Sequence, residues 1–413
     1  MSPQHASRAD IARRRIGVAG FVTLLVLGLL FVLLPRGDAG PDGAGAASPT
    51  ATASAAPADP SREPVPAWLA WMPGGFPEDF AARIGRADEL GATVVVAGDT
   101  LWMRASHDAD GEPVDTPEEP FEIPLDAFAV DPAAYAPFLP DAFRTRVIGA
   151  LRDGEAVLGA TSARLRRLGP GGTITIDGTA VEVGAVAPDG VVGWSELLVN
   201  RRLGASLGIA HDRYLLALGT EDLAMEGFAD AVRTLLPAGT PLRTVKPGGT
   251  RFVRVASGVN PPVVMKQVFG EFSASPRSDD PAFLTMSPAW YDAHIRTETV
   301  PILGEVTCNR AFLPALRGAL QELVDRGLDD LIDVYSGCYA ARTVARSSTA
   351  PPSNHAYGAA IDIDAPTNGY GDTTPAMDLR VVEVFERWGF RWGGDFLIPD
   401  GMHFEYGGPP DRA

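Results

Sequence analysis

The sequence predicts an α+β fold. A small C-terminal domain with an antiparallel sheet and helices follows an α+β or mainly β domain and an N-terminal transmembrane helix. Three observations lead to this prediction: an apolar run near the start, strand-like segments with turn signals in the middle, and alternating helical and strand patterns towards the end. The 413 residues suffice for about two to three domains, and a hydrophobic content of 46% allows a sizeable core.

The N-terminal segment has the pattern of a signal-anchor. Residues 1–15 form a basic tail, and an uncharged apolar run, residues 16–34, follows it. As a helix this run spans roughly 28 Å at about 1.5 Å per residue, close to the thickness of one bilayer core. We therefore predict a single-pass protein of the cell membrane with a cytoplasmic tail and extracytoplasmic domains. A signal peptide cleaved at Ala44-x-Ala46 is the alternative.

The next segment, residues 35–66, consists mostly of Ala, Pro, Gly, Ser, Thr and Asp. Such a composition cannot bury a core, so it predicts a disordered linker. The formal net charge of the chain is −17, and no Lys- or Arg-rich run occurs beyond the basic tail. This charge distribution argues against nucleic acid as a partner, because phosphate binding needs a concentrated cationic face.

Residues 67–275 are predicted to form an extracytoplasmic domain of unknown role, since they carry strand signals and no catalytic motif. Gly98-Asp99 between two apolar segments predicts one hairpin, and Asp177-Gly178, which suits a type I′ turn, predicts another. Leu223–Leu236 is predicted to be a helix that ends before a proline. Strands are predicted at Thr93–Ala97, Leu101–Ala105, Thr173–Ile176, Thr179–Val183, Tyr214–Leu218, Arg251–Ala256 and Val263–Phe272.

Residues 276–413 are predicted to form a compact α+β domain. Helical periodicity indicates two helices, Leu313–Arg326 and Met377–Trp388, each followed by a glycine. Short apolar segments predict strands at Leu331–Tyr335, Ala359–Ile363, Phe390–Trp392 and Met402–Tyr406. The mixture of both element types places this domain in the α+β class.

Three residues of this domain have the chemistry of a metal site. His355 and Asp362 are seven residues apart, and a turn at Gly358 would let both side chains converge with His403 from a neighbouring strand. Neutral imidazoles and a carboxylate are good zinc ligands, and three of them leave a fourth position open for water. Histidines packed in apolar strands for structural reasons are the alternative reading.

Further carboxylates lie beside these predicted ligands. Asp400, three residues before the second histidine, is predicted to act as the base that takes a proton from the attacking water. Glu405 and Asp395 are candidates for orienting the imidazole N–H groups.

Two cysteines, Cys308 and Cys338, are the only ones in the sequence. Outside the cytoplasm such a pair is expected to form a disulfide, closing a loop of about 30 residues. A cysteine ligand to zinc is the alternative, less favoured because the two cysteines are far apart and better ligands are present.

The stretch from about Val300 to Tyr406 resembles the zinc D-alanyl-D-alanine carboxypeptidases and L-alanyl-D-glutamate endopeptidases of the VanY, VanX and phage-endolysin type. The motifs that carry the resemblance are Ser336-Gly337-Cys338-Tyr339-Ala340-Ala341-Arg342, Ser353-x-His355-Ala356-Tyr357-Gly358-x-Ala360-x-Asp362, Trp392-Gly393-Gly394-Asp395 and Asp400-x-x-His403-Phe404-Glu405.

The resemblance implies a zinc peptidase domain at residues 276–413 that hydrolyses peptidoglycan stem peptides. It implies that His355, Asp362 and His403 hold Zn²⁺ and that Asp400 is the catalytic base. Arg342 matches an arginine that steadies the substrate carbonyl as it becomes an oxyanion, and Ser353 matches a substrate-contacting position.

Several alternatives remain open at this stage. Arg346 is the fallback if the alignment slips by a turn, and either arginine could instead form a surface ion pair. The favoured activity is D-alanyl-D-alanine carboxypeptidase. The alternatives are an L-alanyl-D-glutamate-type endopeptidase, a non-catalytic zinc-containing wall-binding or sensor protein, and a peptidase that acts on a protein substrate.

Overall fold

The computed structural model describes residues 65–248, 260–348 and 350–409. The predicted basic tail, the signal-anchor at residues 16–34 and nearly all of the linker lie outside these ranges, as does the predicted strand Arg251–Ala256. Within the described ranges, no helix combines the length and apolar character needed to cross a membrane.

The described residues contain both strands and helices, which confirms the predicted α+β class. The strands are β1 (Trp68–Trp71), β2 (Thr93–His107), β3 (Pro113–Asp115), β4 (Ile123–Val130), β5 (Ala156–Gly159), β6 (Thr173–Ile176), β7 (Thr179–Ala187), β8 (Leu197–Asn200), β9 (Asp212–Ala217), β10 (Arg243–Val245), β11 (Ala274–Pro276), β12 (Leu284–Met286), β13 (Ile295–Val300), β14 (Gly304–Asn309), β15 (Tyr335–Gly337), β16 (Ala360–Ile363), β17 (Phe390–Trp392) and β18 (His403–Tyr406).

The α-helices are short, and most of them flank the sheets. They are α1 (Phe80–Ile84), α2 (Pro132–Tyr135), α3 (Asp141–Asp153), α4 (Ala160–Arg166), α5 (Arg201–Ser206), α6 (Met225–Arg233), α7 (Pro262–Phe269), α8 (Pro288–His294), α9 (Leu313–Asp325) and α10 (Leu379–Arg387).

Six strands of the N-terminal part close into a barrel. The pairing order is β2-β4-β8-β5-β7-β6, and β6 pairs back onto β2. The pairs β4–β8 and β5–β7 are parallel and the other barrel pairs are antiparallel. Strands β9, β1 and β10 extend the sheet from the N-terminal part of β2, along the same edge that pairs with β6 further on. Closure satisfies the backbone hydrogen bonds of the barrel strands without leaving an exposed sheet edge.

The hairpin predicted at Gly98-Asp99 is wrong, because β2 runs through this position without a turn. A Cβ atom at Gly98 would lie 2.9 Å from ring carbons of Phe128, so the glycine permits close packing instead of a reversal. Asp99 accepts hydrogen bonds from the backbone N–H groups of Ala210 and His211 at 2.8 and 3.0 Å. The polar side chain therefore joins a neighbouring loop and does not form a turn.

The second predicted hairpin is confirmed. Strands β6 and β7 pair directly, and Asp177 and Gly178 between them have φ values of 46° and 74°. Two central residues with positive φ are the requirement of a type I′ turn, which the Asp-Gly pair meets at low cost. The predicted strand at Tyr214–Leu218 and helix at Leu223–Leu236 are confirmed as β9 and α6, with the helix shorter than predicted.

The strand predicted at Val263–Phe272 is wrong, because residues 262–269 form helix α7. Pro261 and Pro262 precede and open the helix, where their fixed φ and missing N–H are tolerated. Val263, Lys266 and Phe269, three residues apart, are all buried on the helix. Adjacent β-branched valines favour a strand locally, but this tertiary burial outweighs that preference.

The C-terminal part is built on an antiparallel sheet of order β15-β16-β18-β17. One hydrophobic cluster extends from Met265 on α7 to Phe404 on β18 and includes residues of α9 and α10. The predicted elements at Ala359–Ile363, Phe390–Trp392, Met402–Tyr406 and both helices are confirmed within two residues at each end. The strand predicted at Leu331–Tyr335 lies further along, at β15, after a 3-10 turn at Asp329–Leu331.

The two cysteines form a disulfide, as predicted, with a Cα–Cα distance of 5.6 Å. Cys308 lies in β14 and Cys338 directly follows β15. The bond therefore ties the hairpin β13–β14 to the first strand of the C-terminal sheet.

Candidate metal centre

The register of two strands brings two predicted ligands together. Asp362 on β16 is the direct partner of His403 on β18. Directly opposite residues of an antiparallel pair project from the same face of the sheet. His355 comes from the 3-10 helix Asn354–Tyr357, which ends at Gly358 with φ 64° and leads into β16. A Cβ atom at Gly358 would lie 2.6 Å from the backbone nitrogen of Asn309, so only glycine fits this turn.

The three side chains converge on one point. His355 Nε2 lies 3.2 Å from His403 Nδ1 and 3.2 Å from Asp362 Oδ1, and His403 Nδ1 lies 3.0 Å from Asp362 Oδ1. Both imidazoles are buried, and the carboxylate is partly exposed. Within the described ranges, these three residues form the one His/Cys/Asp/Glu group with spacing suited to a metal ion.

The other nitrogen of each imidazole is held by a separate acceptor. His355 Nδ1 is 2.7 Å from the carbonyl oxygen of Cys338, and His403 Nε2 is 3.2 Å from Glu405 Oε2. Since a carbonyl and a carboxylate only accept, these ring nitrogens carry the protons. In the neutral rings, the lone pairs of His355 Nε2 and His403 Nδ1 then face each other and Asp362. Such partners on the distal nitrogens are typical of imidazoles that bind a metal.

This donor set fits a zinc ion. Three electron-pair donors at mutual distances of 3.0–3.2 Å repel one another unless a cation lies among them. Zinc bonds of about 2.0–2.2 Å in tetrahedral geometry would separate such ligands by roughly 3.3–3.5 Å, close to the observed triangle. The three donors would leave a fourth position of the tetrahedron open.

The electrostatics at this point also favour positive charge. Burial alone would raise the pKa of Asp362. When a proton and not a metal ion lies among the three donors, hydrogen bonds from His355 and His403 hold this pKa below its ordinary value. Burial alone would lower the pKa of His403, but the carboxylates of Asp362 and Glu405 raise it to about 10. A divalent cation would interact with these carboxylates more strongly than a proton does, because it carries a larger charge.

Asp400 lies beside this triad on a tight turn. Its backbone N–H donates to the carbonyl oxygen of Gly393 at 2.8 Å, and its carbonyl accepts from the N–H of His403 at 3.0 Å. A Cβ atom at Gly393 would lie 2.6 Å from the Asp400 carbonyl oxygen, which explains the glycine of the Trp-Gly-Gly motif. Burial raises the pKa of Asp400, and the Asp362 charge adds to this. Its Oδ1 is buried without a hydrogen-bond partner in the described part of the chain.

The two candidate arginines differ in their surroundings. Arg342 is partly buried, and its Nη1 donates to the carbonyl oxygen of Thr343 at 3.3 Å. Burial lowers the pKa of Arg342 below its ordinary value. The charges of Asp362 and Asp400 act in the opposite direction but do not cancel this effect. Among the described residues Arg342 forms no ion pair within 4.0 Å. Arg346 is exposed, with φ 52°.

The remaining predicted residues lie in different environments. Glu405 is buried, and its Oε2 accepts hydrogen bonds from Asn354 Nδ2 at 2.6 Å and from His403. Asp395 is exposed, and its carboxylate does not contact either imidazole. Ser353 is buried, and its Oγ accepts the backbone N–H of His355 at 3.3 Å as the cap of the 3-10 helix.

Sequence reasoning missed two contributors to the site. The carbonyl oxygen of Cys338 orients His355, and a backbone acceptor leaves no signal in a side-chain motif. Asn354 holds Glu405, and its place inside the Ser-x-His motif was the available clue.

Comparison with known proteins gives one family match. Residues 346–406 match the family described as D-alanyl-D-alanine carboxypeptidase. The matched segment includes His355, Asp362, Asp400 and His403 but not Arg342 or Cys338. No curated protein sequence matches the chain significantly.

Two solved structures are similar to part of the chain. The periplasmic region of MacB from Actinobacillus actinomycetemcomitans is 8% identical, with a TM-score of 0.31 over 44% of this chain and 88% of that one. The extracellular domain of the noncanonic ABC-type transporter YknZ from Gram-positive bacteria is 15% identical, with a TM-score of 0.27 over 41% and 87%. At such low TM-scores these likenesses carry no indication of function.

Proposed function

We propose that this chain is a zinc peptidase that hydrolyses peptidoglycan stem peptides, as a D-alanyl-D-alanine carboxypeptidase. The observation that carries the proposal is the convergence of His355 Nε2, His403 Nδ1 and Asp362 Oδ1, with the distal imidazole nitrogens held by Cys338 and Glu405. The family match at residues 346–406 supports the substrate class.

His355, Asp362 and His403 would hold the zinc ion. When bound, zinc supplies Lewis-acid chemistry, polarising the scissile carbonyl and making a water molecule acidic near neutral pH. The protein contributes the fixed tautomers of both imidazoles, so that lone pairs and not N–H groups face the metal.

Asp400 has the properties of the general base. Its buried, unpartnered Oδ1 can accept a proton from the attacking water and then donate it to the nitrogen of the leaving amine. A raised pKa brings this carboxyl closer to the range in which it can both accept and donate a proton. The backbone bonds to Gly393 and His403 fix the turn that presents the side chain.

Arg342 has the properties of an oxyanion stabiliser. Since no carboxylate among the described residues neutralises it at close range, its guanidinium is available to the negative charge that develops on the substrate carbonyl oxygen. The negative charges of Asp362 and Asp400 act on the Arg342 guanidinium. This interaction is consistent with an arginine that lies near the proposed metal centre.

The location of the substrate fits the predicted topology. With residues 16–34 as a membrane anchor, the zinc peptidase domain would lie outside the cytoplasm, where stem peptides are exposed. A disulfide in the C-terminal part is in keeping with an oxidising compartment.

The experiment is incubation of the purified protein, loaded with zinc, with stem pentapeptide and with intact sacculi, followed by mass spectrometry of the products. Release of terminal D-alanine, lost in an Asp400→Asn variant that still binds zinc, is the expected result. A cut inside the stem would instead establish an endopeptidase. Stoichiometric zinc binding without any product would contradict the peptidase proposal and favour a binding or sensor role.

A further inference from the structure

Four charged side chains form a closed ring in the interior. Arg166 and Glu196 are 0% exposed, Lys266 is 1% and Glu271 is 15% exposed. Glu196 Oε1 lies 3.0 Å from Arg166 Nη2 and 2.8 Å from Lys266 Nζ. Glu271 Oε1 lies 2.8 Å from Lys266 Nζ and also pairs with Arg166. Cations and anions alternate around the ring, so each charge has two opposite neighbours.

The ring joins two parts of the chain that are distant in sequence. Arg166 ends α4 and Glu196 directly precedes the barrel strand β8. Lys266 lies on α7, and Glu271 follows that helix. Met265 and Phe269 of the same helix belong to the C-terminal core. The charges of the ring are therefore contributed equally by the barrel and by the segment that packs with the metal-binding sheet.

Hydrogen bonds to the barrel strand β4 extend the ring. Lys266 Nζ donates to the carbonyl oxygen of Pro124 at 2.5 Å, and Glu196 Oε2 accepts the backbone N–H of Asp126 at 3.1 Å. The chain has two lysines, of which Lys246 is exposed and Lys266 is buried. A buried charge that loses its partners is strongly destabilising, so we expect this arrangement to hold α7 against the barrel in one position.

Helix α7 in turn contacts the turn that carries His355. Asn309 Nδ2 donates both to the carbonyl oxygen of Phe269, the last residue of α7, and to that of Tyr357, at 3.1 and 3.0 Å. The rings of Phe272 and Tyr357 pack with centroids 4.8 Å apart. Tyr357 is the last residue of the 3-10 helix that begins at Asn354. The ring is thus connected to His355 by α7, one shared amide and one aromatic contact.

We propose that this buried ionic ring is the device by which the barrel positions His355, and that Arg166, Glu196, Lys266 and Glu271 are positioning residues of the metal centre. The proposal rests on the proposed metal site of His355, Asp362 and His403. It does not depend on which substrate that site acts on. It assigns the barrel a role in the site although no barrel residue reaches the metal ligands. Because energetic coupling between two sites is reciprocal, metal binding must also stabilise the ring.

The first test uses the variant Lys266→Met/Glu271→Gln in the full chain. It removes one cation and one anion and leaves the Arg166–Glu196 pair intact, so no unpaired charge remains. The matched control is Arg317→Met/Glu298→Gln, which removes a partly exposed pair between α9 and β13. Zinc affinity is measured by chelator competition, and the visible spectrum of the cobalt(II) form reports the ligand geometry.

The expected result is a zinc affinity about three- to tenfold lower in the ring variant, less than the 10- to 100-fold loss typical when groups that hydrogen-bond metal ligands directly are replaced. Its cobalt spectrum should change, while the control variant keeps the affinity and spectrum of the unaltered protein. A folded ring variant with unchanged affinity and spectrum would overturn the proposal. Failure of the unaltered protein to bind either metal would instead refute the metal centre, and the positioning role with it.

The second test needs no variant and applies even if the ring variant does not fold. The unaltered protein, with zinc or after chelation, is treated with limiting acetic anhydride, and acetylation of both lysines is quantified by peptide mass spectrometry. Lys246 is exposed and serves as the internal control. Removal of zinc should raise the Lys266 rate several-fold relative to Lys246. An unchanged ratio would show that metal and ring are not coupled and would overturn the proposal.

Discussion

His355 donates a hydrogen bond from Nδ1 to the carbonyl oxygen of Cys338, the residue that the disulfide ties to Cys308. The disulfide therefore restrains the backbone group that sets the tautomer of a proposed metal ligand. We therefore expect this bond, which restricts the unfolded chain, to have a second effect on the folded site.

Replacement of both cysteines by serine should affect stability and metal binding together. Loss of a cross-link that closes about 30 residues should lower the free energy of unfolding by about 3–4 kcal/mol in the chain-entropy model. Zinc affinity should fall as well, because the Cys338 carbonyl gains freedom. Denaturant unfolding and chelator competition measure the two effects. Unchanged zinc affinity in the folded, destabilised variant would show that the backbone alone holds this carbonyl.

Glu405→Gln should weaken metal binding with little change in fold. The amide can keep the hydrogen bond from His403 Nε2 but loses the negative charge that makes the imidazole a stronger donor to the metal. We expect zinc affinity to fall by about tenfold. Glu383→Gln, at an exposed position of α10, is the matched control and should bind zinc as the unaltered protein does. Equal affinities for the two variants would contradict the orienting role of Glu405.

Asp400→Asn should separate metal binding from turnover. The amide cannot accept a proton from water, so hydrolysis of the stem pentapeptide should fall by about 10²- to 10⁴-fold, the usual contribution of a general base. Zinc affinity should stay close to that of the unaltered protein, since Asp400 is not one of the three converging donors. Asp395→Asn, at an exposed position, is the control and should retain activity. Full activity of the Asp400 variant would remove this residue from the mechanism.

Gly318→Ala should destabilise the C-terminal part without changing the site chemistry. A Cβ atom at this position of α9 would lie 2.1 Å from the ring of Trp388, which directly follows α10, so α9 and the end of α10 could not keep their distance. Overpacking of this kind costs about 1–3 kcal/mol. Gly149→Ala in α3 is the matched control, because no atom lies within 4 Å of its added Cβ. The control should gain up to about 1 kcal/mol from helix propensity, and equal stabilities would contradict the packing argument.

The sequence predicted the local parts of this molecule better than the non-local ones. Histidine and carboxylate spacing, the Asp177-Gly178 turn and the cysteine pair depend on short-range chemistry, and the structure brings His355, Asp362 and His403 together. Pairing of β6 with β2 and burial of α7 depend on contacts between distant segments, which single-sequence patterns do not contain. Gly98 illustrates the difference, since its neighbour Phe128 decides its role.

Strand β2 belongs both to the barrel and to the sheet extension formed by β9, β1 and β10. Its residues Thr93–Ala97 pair with β9, Ala97–Met103 with β4, and Met103–His107 with β6. Detaching the extension of β9, β1 and β10 would therefore break the ladder of a strand that also closes the barrel. We expect the N-terminal part to unfold in one cooperative transition, so that hydrogen exchange gives the same free energy of opening for the amides of both regions.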